Sequence, residues 1–206
     1  MTVTAIEPKK KGLCALYIDG EFAFKVDTET VLSMRIDVGN EISDEKLHEL
    51  VKNSDTKRAK DKAMWLISYR DYSKRELIEK VAKDSSTEAA QKAVERLLEL
   101  GLVDDERYAR RYAHDLIFIK RLSPVGAVRK LTEKGIDRDL AREVVDEIDV
   151  DTNDNITAII SKKYAKNLFD EKGRRRCVNG LLRLGYSYSD IKHALSQFTD
   201  CDDMYI

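Results

Sequence analysis

From Ala59 to Phe198 the apolar positions fall at helical spacing, and the same order of them returns about every fifty residues. Ala59, Ala63, Leu66 and Ile67 reappear as Ala109, Ala113, Leu116 and Ile117, then as Ile160, Tyr164, Asn167 and Leu168 with a slip of one residue. Further on, Ser73, Lys80 and Val81 map onto Ser123, Lys130 and Leu131. Val128, Leu131, Gly135, Ile136, Val145 and Ile148 map onto Val178, Leu181, Gly185, Tyr186, Leu195 and Phe198. A rhythm of i, i+4, i+7, i+8 is one face of a helix. Repetition at this period predicts a stacked array whose units share burial and present long binding surfaces.

Capping residues set the expected helix limits. Ser73 followed by Glu76 forms a capping box, with Tyr72 and Leu77 as its hydrophobic staple, and predicts a helix to about Lys83. Ser85 and Glu88 are expected to cap the next helix, whose stripe ends at Gly101, a residue suited to the left-handed position after a helix. Asp104 starts the following one. Ser123-Pro124 opens the second helix of unit two, because proline at the first helical position loses only an amide with no intrahelical partner. In unit three Gly173 occupies the serine position, which predicts a weaker cap. Trp65 lies off the apolar stripe and reads either as a seal against the amino-terminal module or as peripheral core.

Before residue 56 the pattern differs. Leu13 to Ile18 and Phe22 to Val26 are strand-like runs around Asp19-Gly20, which suits a two-residue hairpin turn. Thr28 to Ile36 reads equally as a short helix or a third strand. Ser43 is expected to cap a helix ending at about Lys52, with Ile42 and Leu47 as staple. The predicted fold is mainly α: a tandem array of three three-helix repeats over 56–104, 105–152 and 153–199. A small β-hairpin-containing module over 1–55 precedes it, and an acidic tail over 200–206 follows.

Composition narrows the function classes. With 36% charged residues, 42% hydrophobic ones and two prolines, the chain suits exposed helices with narrow apolar faces. No run approaches a membrane span, and the amino terminus lacks a signal-peptide core, so a cytosolic location is expected. Cys14, Cys177 and Cys201 have no paired spacing, and His48, His114 and His193 match no ligand or triad pattern. No cofactor or metal is expected. The acidic run Asp104-Asp105-Glu106 reads as helix-start chemistry, not catalysis. A net charge of −1 conceals an asymmetry: residues 153–199 carry 9 Lys and Arg against 4 Asp and Glu, which points to an anionic partner at that end.

The run Leu98 to Ala109 (LELGLVDDERYA) resembles the junction between repeats in the RecX family, the bacterial regulators of RecA recombinase. Tyr72 to Leu77, Lys130 to Ile136 and Leu182 to Tyr186 resemble the same family in the same order, so the likeness covers roughly residues 59–198. It implies a protein of tandem three-helix units that binds in the groove of the RecA–DNA filament, bridging protomers; the sequence shows no nucleophile–base pair or ligand cluster, so a monomer without enzymatic activity is expected. Members mostly restrain the ATP hydrolysis, strand exchange and co-protease activity of RecA. One departure is Leu122-Ser123-Pro124, where members commonly carry a glycine, which puts in doubt any partner contact at that turn.

A regulator in such a groove meets DNA phosphates or acidic RecA side chains, so the basic residues are the candidates for contact. They are Arg110, Arg111, Lys120 and Arg121 about the first helix of unit two, and Arg129 and Lys130 on its second. Unit three adds Lys162, Lys163, Lys166, Arg174, Arg175 and Arg176. The last three are expected at the start of a helix, beside its positive end. Arginine suits phosphate or carboxylate because its planar fork makes two charge-assisted hydrogen bonds. A direct DNA-binding three-helix protein and a generic helical scaffold remain alternative readings.

Overall fold

In the computed structural model, which describes residues 1–199, the chain divides into two compact units, Met1–Asp104 and a second beginning at Asp105. The acidic run expected over 200–206 lies outside the described residues. The first unit opens with an antiparallel sheet of strands β1 Val3–Pro8, β2 Leu13–Ile18 and β3 Glu21–Asp27, in that order. Asp19 and Gly20 take φ values of 50° and 88° between β2 and β3, as a two-residue hairpin turn requires. β1 has no counterpart among the strands expected from sequence. It is an edge strand, and that is where a sheet tolerates a proline such as Pro8.

The ambiguous segment after β3 is a helix, α1 Thr28–Ser33. Asp27 caps it, accepting from the Thr30 amide at 2.9 Å, and Lys57 lies 3.1 Å from the same carboxylate oxygen. Helix α2, Asp44–Tyr69, begins as expected at Ser43, whose hydroxyl accepts from the Lys46 amide. It does not end at Lys52. It continues unbroken through residues 55 and 56, where the sequence predicts a boundary. The turn-forming residues there act sideways: the buried Ser54 hydroxyl accepts from the Asp27 amide at 2.7 Å, and the Asp55 carboxylate accepts from the Ser86 amide at 3.0 Å.

One helix thus serves two apolar clusters. Leu50 packs with Val3, Leu16, Val26 and Ile42 on the sheet side. Ala59, Ala63 and Leu66 pack with α3, Lys74–Val81, and α4, Thr87–Glu99. Ser73 caps α3 as predicted, accepting from the Glu76 amide at 3.2 Å. The cap of α4 is Ser86 and not Ser85, whose hydroxyl instead donates to the Val81 carbonyl at 3.1 Å. Gly101 ends α4 at φ 67°, and the Leu102 amide returns to the Leu97 carbonyl at 2.9 Å. Trp65 neither seals against the sheet nor joins the core. It is 52% exposed, edge-on to Tyr69 at 4.8 Å, with the Lys62 ammonium 5.0 Å from its ring.

The second unit repeats the plan twice. Helix α5 Asp105–His114 runs into a π-helical turn, Asp115–Ile119, and is followed by α6 Pro124–Glu133 and α7 Arg138–Asp146. Helices α8 Thr152–Lys163, α9 Glu171–Arg183 and α10 Tyr188–Thr199 complete the third repeat. Leu116, Ile117, Leu131 and Val144 centre one cluster, and Ile156, Ile160, Leu181 and Ile191 the other; Leu184 packs against both. Gly135 and Gly185 end α6 and α9 at φ 85° and 94°.

The start of α9 departs from the predicted register. Its cap is Asp170, which accepts from the Gly173 amide, so the helix begins three residues earlier than the serine positions of the other repeats imply. Gly173 is there for space, because a Cβ at that position would overlap the Asn167 carbonyl oxygen. The expected weak glycine cap is therefore a carboxylate cap over a close backbone approach.

Candidate functional site

The path between α5 and α6 decides what the second unit can present. Arg121 adopts φ 55°, an unusual conformation for a side chain longer than asparagine, and this turns the chain so that Ser123 meets the end of α9. The Ser123 amide donates to the Leu184 carbonyl at 3.1 Å, while its hydroxyl caps α6 by accepting from the Gly126 amide at 3.0 Å. Gly126 lets α6 lie directly on that backbone, since a Cβ there would overlap the Leu184 carbonyl oxygen. The buried Tyr186 hydroxyl donates to the Arg121 carbonyl at 2.9 Å, and the Arg121 guanidinium donates to the buried Asn155 side chain. Burial pushes the Tyr186 hydroxyl up to about 12, with Arg121 opposing the shift, so the phenol stays a donor. Removing that hydroxyl in Tyr186→Phe should lower the stability of the second unit by about 1 kcal/mol, read from chemical unfolding.

This joint assigns the Leu122-Ser123-Pro124 turn an internal role. Both Leu122 and Ser123 are buried, so these two residues of the turn hold two repeats together. The joint also sets α6 beside α9, leaving a groove of about 900 Å³ lined by Arg129, Tyr164, Arg176, Asn179, Leu182 and Arg183. Arg176, Asn179 and Arg183 stand at i, i+3 and i+7 of α9, one helix face. Arg129 enters from α6, donating to the Arg183 carbonyl at 3.3 Å and lying 4.0 Å from Glu133. The lining holds three guanidinium groups, an amide and a phenol, and no carboxylate. Such a set favours an anion with several oxygens.

Tyr164 reaches the groove through a paired exchange of sizes. It occupies the position of Ala63 and Ala113, and its hydroxyl lies over Gly180, the position of Lys80 and Lys130. A side chain at residue 180 would collide with the phenol, so the large residue on one helix is matched by the smallest on the next.

The twelve predicted contact residues separate into distinct settings. Arg129 and Arg176 line the groove. Arg121 belongs to the joint. Arg110 is held by Glu106 at 2.8 Å and by Glu147, Lys130 by Glu133 at 2.6 Å, and the Lys120 ammonium sits 4.9 Å from the Tyr112 ring. Arg111 lies next to Arg110 on α5. Lys162, Lys163, Lys166, Arg174 and Arg175 are exposed and make no ion pair among the described residues. The sequence reading places Arg174 to Arg176 at the helix start, and the structure does not. With Asp170 as the cap they are the fourth to sixth residues of α9, and the positive end is met by Asp170 and Glu171.

Arg183, Asn179 and Tyr164 were not among the sequence candidates. The seven-residue interval from Arg176 to Arg183 was there as a signal, whereas the entry of Arg129 from another helix was not. Among the described residues the thiols of Cys14 and Cys177 are buried, and burial pushes Cys177 up to about 11 and raises Cys14 as well, which disfavours the thiolate at both.

Comparison with known proteins agrees with this architecture. The family model for RecX, second three-helix domain, matches residues 104–145. Regulatory protein RecX of Clostridioides difficile is 25% identical over 206 residues, spanning 98% of this chain and 97% of that protein. The protein of the same name from Lactobacillus delbrueckii subsp. bulgaricus is 29% identical over 189 residues, 88% of this chain and 68% of that protein. Its namesake from Lactobacillus gasseri is 33% identical over 142 residues, 68% of this chain and 52% of that protein. A crystal structure of regulatory protein RecX shares the fold with a TM-score of 0.61 at 21% identity, over 93% of this chain and 98% of that one. The crystal structure of RecX from Lactobacillus salivarius gives 0.57 at 20% identity, over 70% and 97%. Three-helix repeats in the same order, the shared fold and relatives spanning the full described length place the chain in one group: it belongs to the RecX family of regulatory proteins.

Proposed function

We propose that this chain regulates RecA recombinase, as an inhibitor, by seating on the RecA–DNA filament, and that the arginine groove between α6 and α9 supplies its anionic contact. The observation that carries this reading is a groove of three arginines without a carboxylate, in a chain of the RecX family. Function here is binding without catalysis. The helical repeats, the first of which shares α2 with the amino-terminal sheet, engage neighbouring protomers, and linked weak contacts gain affinity through effective concentration. No helix among the described residues is long and apolar enough to cross a membrane, and the proposed site of action is the cytoplasm.

RecA-dependent ATP hydrolysis on single-stranded DNA tests the reading. Titrating the protein should suppress hydrolysis at less than one copy per RecA protomer, with strand exchange and co-protease activity falling in parallel. Unchanged hydrolysis at equimolar protein would overturn it. The same cation-lined groove suits DNA phosphate alone, so binding to DNA without RecA is the comparison: tight, sequence-selective, RecA-independent binding would favour a direct DNA-binding protein.

A further inference from the structure

Along α2, Lys52, Asp55, Arg58, Lys62, Trp65 and Tyr69 follow one another at intervals of three or four residues, which places them on one face of the helix. At about 1.5 Å per residue that face is roughly 25 Å long. Towards its amino-terminal end it borders a cleft of about 340 Å³, where Phe24 and Lys25 from β3 and Lys92 from α4 join Lys52, Asp55 and Arg58. At the other end stand Trp65 and Tyr69, 52% and 71% exposed. Arg58 lies two turns before Trp65 and Lys62 one, so the cleft and the ring pair form one continuous strip of the first unit.

The cleft sets Lys25, Lys52, Arg58 and Lys92 against the carboxylates of Asp55 and Glu88, and both carboxylates are already engaged. Asp55 accepts from the Ser86 amide at 3.0 Å, and Glu88 pairs with Lys92 at 2.6 Å. Lys25 and Lys52 make no ion pair among the described residues. The Arg58 guanidinium donates to the Asp84 carbonyl at 2.9 Å, which holds it at the junction with the ring pair. An excess of cations lining a concave surface draws an anion. The rings ask for something else. The core cluster of the first repeat contains neither Trp65 nor Tyr69, yet the two adjoin at 4.8 Å with the Lys62 ammonium 5.0 Å from the indole. Such a pair gains on being covered by another flat π-system. Asp61, also one turn from Trp65, stands on the flank away from the cleft.

We infer that this face of α2 binds a single nucleic-acid strand, with phosphates along Lys25, Lys52, Arg58 and Lys92 and an unpaired base on the Trp65–Tyr69 rings. A cationic groove beside exposed aromatic rings holds single strands without reading their sequence, because every base has a π-face. A duplex fits less well, since its base faces are already stacked on one another. An apolar protein surface covers the rings alone, whereas a strand answers the cleft as well. The site lies in the first unit, is separate from the arginine groove, and does not rest on the regulatory reading above.

Trp65 is the chain's single tryptophan and serves as the reporter. The full chain is titrated at low salt, without RecA, with an oligothymidylate longer than the face, and Trp65 emission should be quenched. With a labelled strand, Trp65→Ala and Tyr69→Ala should each weaken binding about tenfold, the loss of one base stack, while Trp65→Phe keeps most of the affinity. Lys25→Gln with Lys52→Gln should flatten the dependence of log affinity on log salt by about 1.4. Circular dichroism should show every variant folded as the wild type, since the altered side chains are exposed. Arg176→Gln with Arg183→Gln, which alters the other groove, should leave the quenching in place. Absence of quenching, or ring substitutions that leave strand affinity within about twofold, would overturn the inference. So would a duplex of the same length that binds and quenches as well as the single strand. Emission that responds to RecA alone and not to the strand would give the rings to a protein contact and overturn it too. RecA-dependent ATP hydrolysis is a separate measurement, so failure of the regulatory reading and failure of the strand site are told apart.

Discussion

Gly126→Ala should destabilise the second unit by about 3 kcal/mol, against the usual direction of such a change. In a helix interior alanine is favoured over glycine by roughly 1 kcal/mol, so propensity alone predicts a gain. At this position the new methyl group would overlap the Leu184 carbonyl oxygen, which is backbone and already accepts from the Ser123 amide. Overpacking costs typically about 1–3 kcal/mol and more where the neighbour cannot yield. Relief by separating α6 from α9 would also strain the Ser123–Leu184 and Tyr186–Arg121 hydrogen bonds and loosen Leu184 from the two clusters it joins. Gly180→Ala is the control. There the methyl group meets the end of the Tyr164 side chain, which can swing away, so the cost should be smaller. The measurement is urea unfolding by circular dichroism alongside fluorescence of Trp65, the chain's single tryptophan, which reports on the first unit. A Gly126→Ala variant with an unchanged dichroism midpoint would show that the joint has room to spare.

That joint also revises what truncation after the second repeat would do. From the repeat pattern alone, removing residues 153–206 leaves the second repeat intact. In the structure the cut removes Asn155, Leu184 and Tyr186, and with them the partners of Arg121 and Ser123. Weaker filament inhibition by a truncated chain would therefore mix a missing binding surface with a destabilised fold, and point substitutions in the groove are the cleaner probe.

Local chemistry was legible in the sequence where it acts within a few residues. Ser43, Ser73 and Ser123 cap the helices they were expected to cap, Gly101 takes the left-handed conformation expected of it, and its counterparts Gly135 and Gly185 do the same. Reading failed where polar residues serve partners distant in sequence. Ser54 and Asp55 look like a helix break, yet their oxygens receive the Asp27 and Ser86 amides and the helix passes through. Strict repetition misled at α9, where alignment with Ser73 and Ser123 pointed to Gly173 while the cap is Asp170. The basic character of the third repeat was visible in its composition. Which arginines share a groove was not, because Arg129 and Arg183 meet only through the docking of α6 on α9.

The double substitution Arg176→Gln with Arg183→Gln should weaken binding to the RecA–DNA filament roughly 30-fold at low salt, taking about 1 kcal/mol for each charge-assisted hydrogen bond removed from a solvent-open groove. Neither side chain makes an ion pair among the described residues, so the fold should not depend on their charge. Arg174→Gln with Arg175→Gln removes the same charge from the same helix but outside the groove lining, and should cost less. The comparison separates a shaped site from a general positive field, which falls off over a Debye length and treats all four arginines alike. Salt then identifies the anion. If the groove holds phosphates, removing two of its cations should flatten the dependence of log affinity on log salt by about 1.5, because fewer condensed counterions are released. If it holds acidic side chains of RecA, affinity should fall while that slope changes little. Lysine at both positions keeps the charge and loses the planar fork, so recovery by Arg176→Lys with Arg183→Lys would indicate a point-charge interaction, and continued weakness a bidentate one. Equal affinity for the groove pair and the control pair would remove the groove from the interface and leave the binding face to be found among the other exposed cations of α8 and α9.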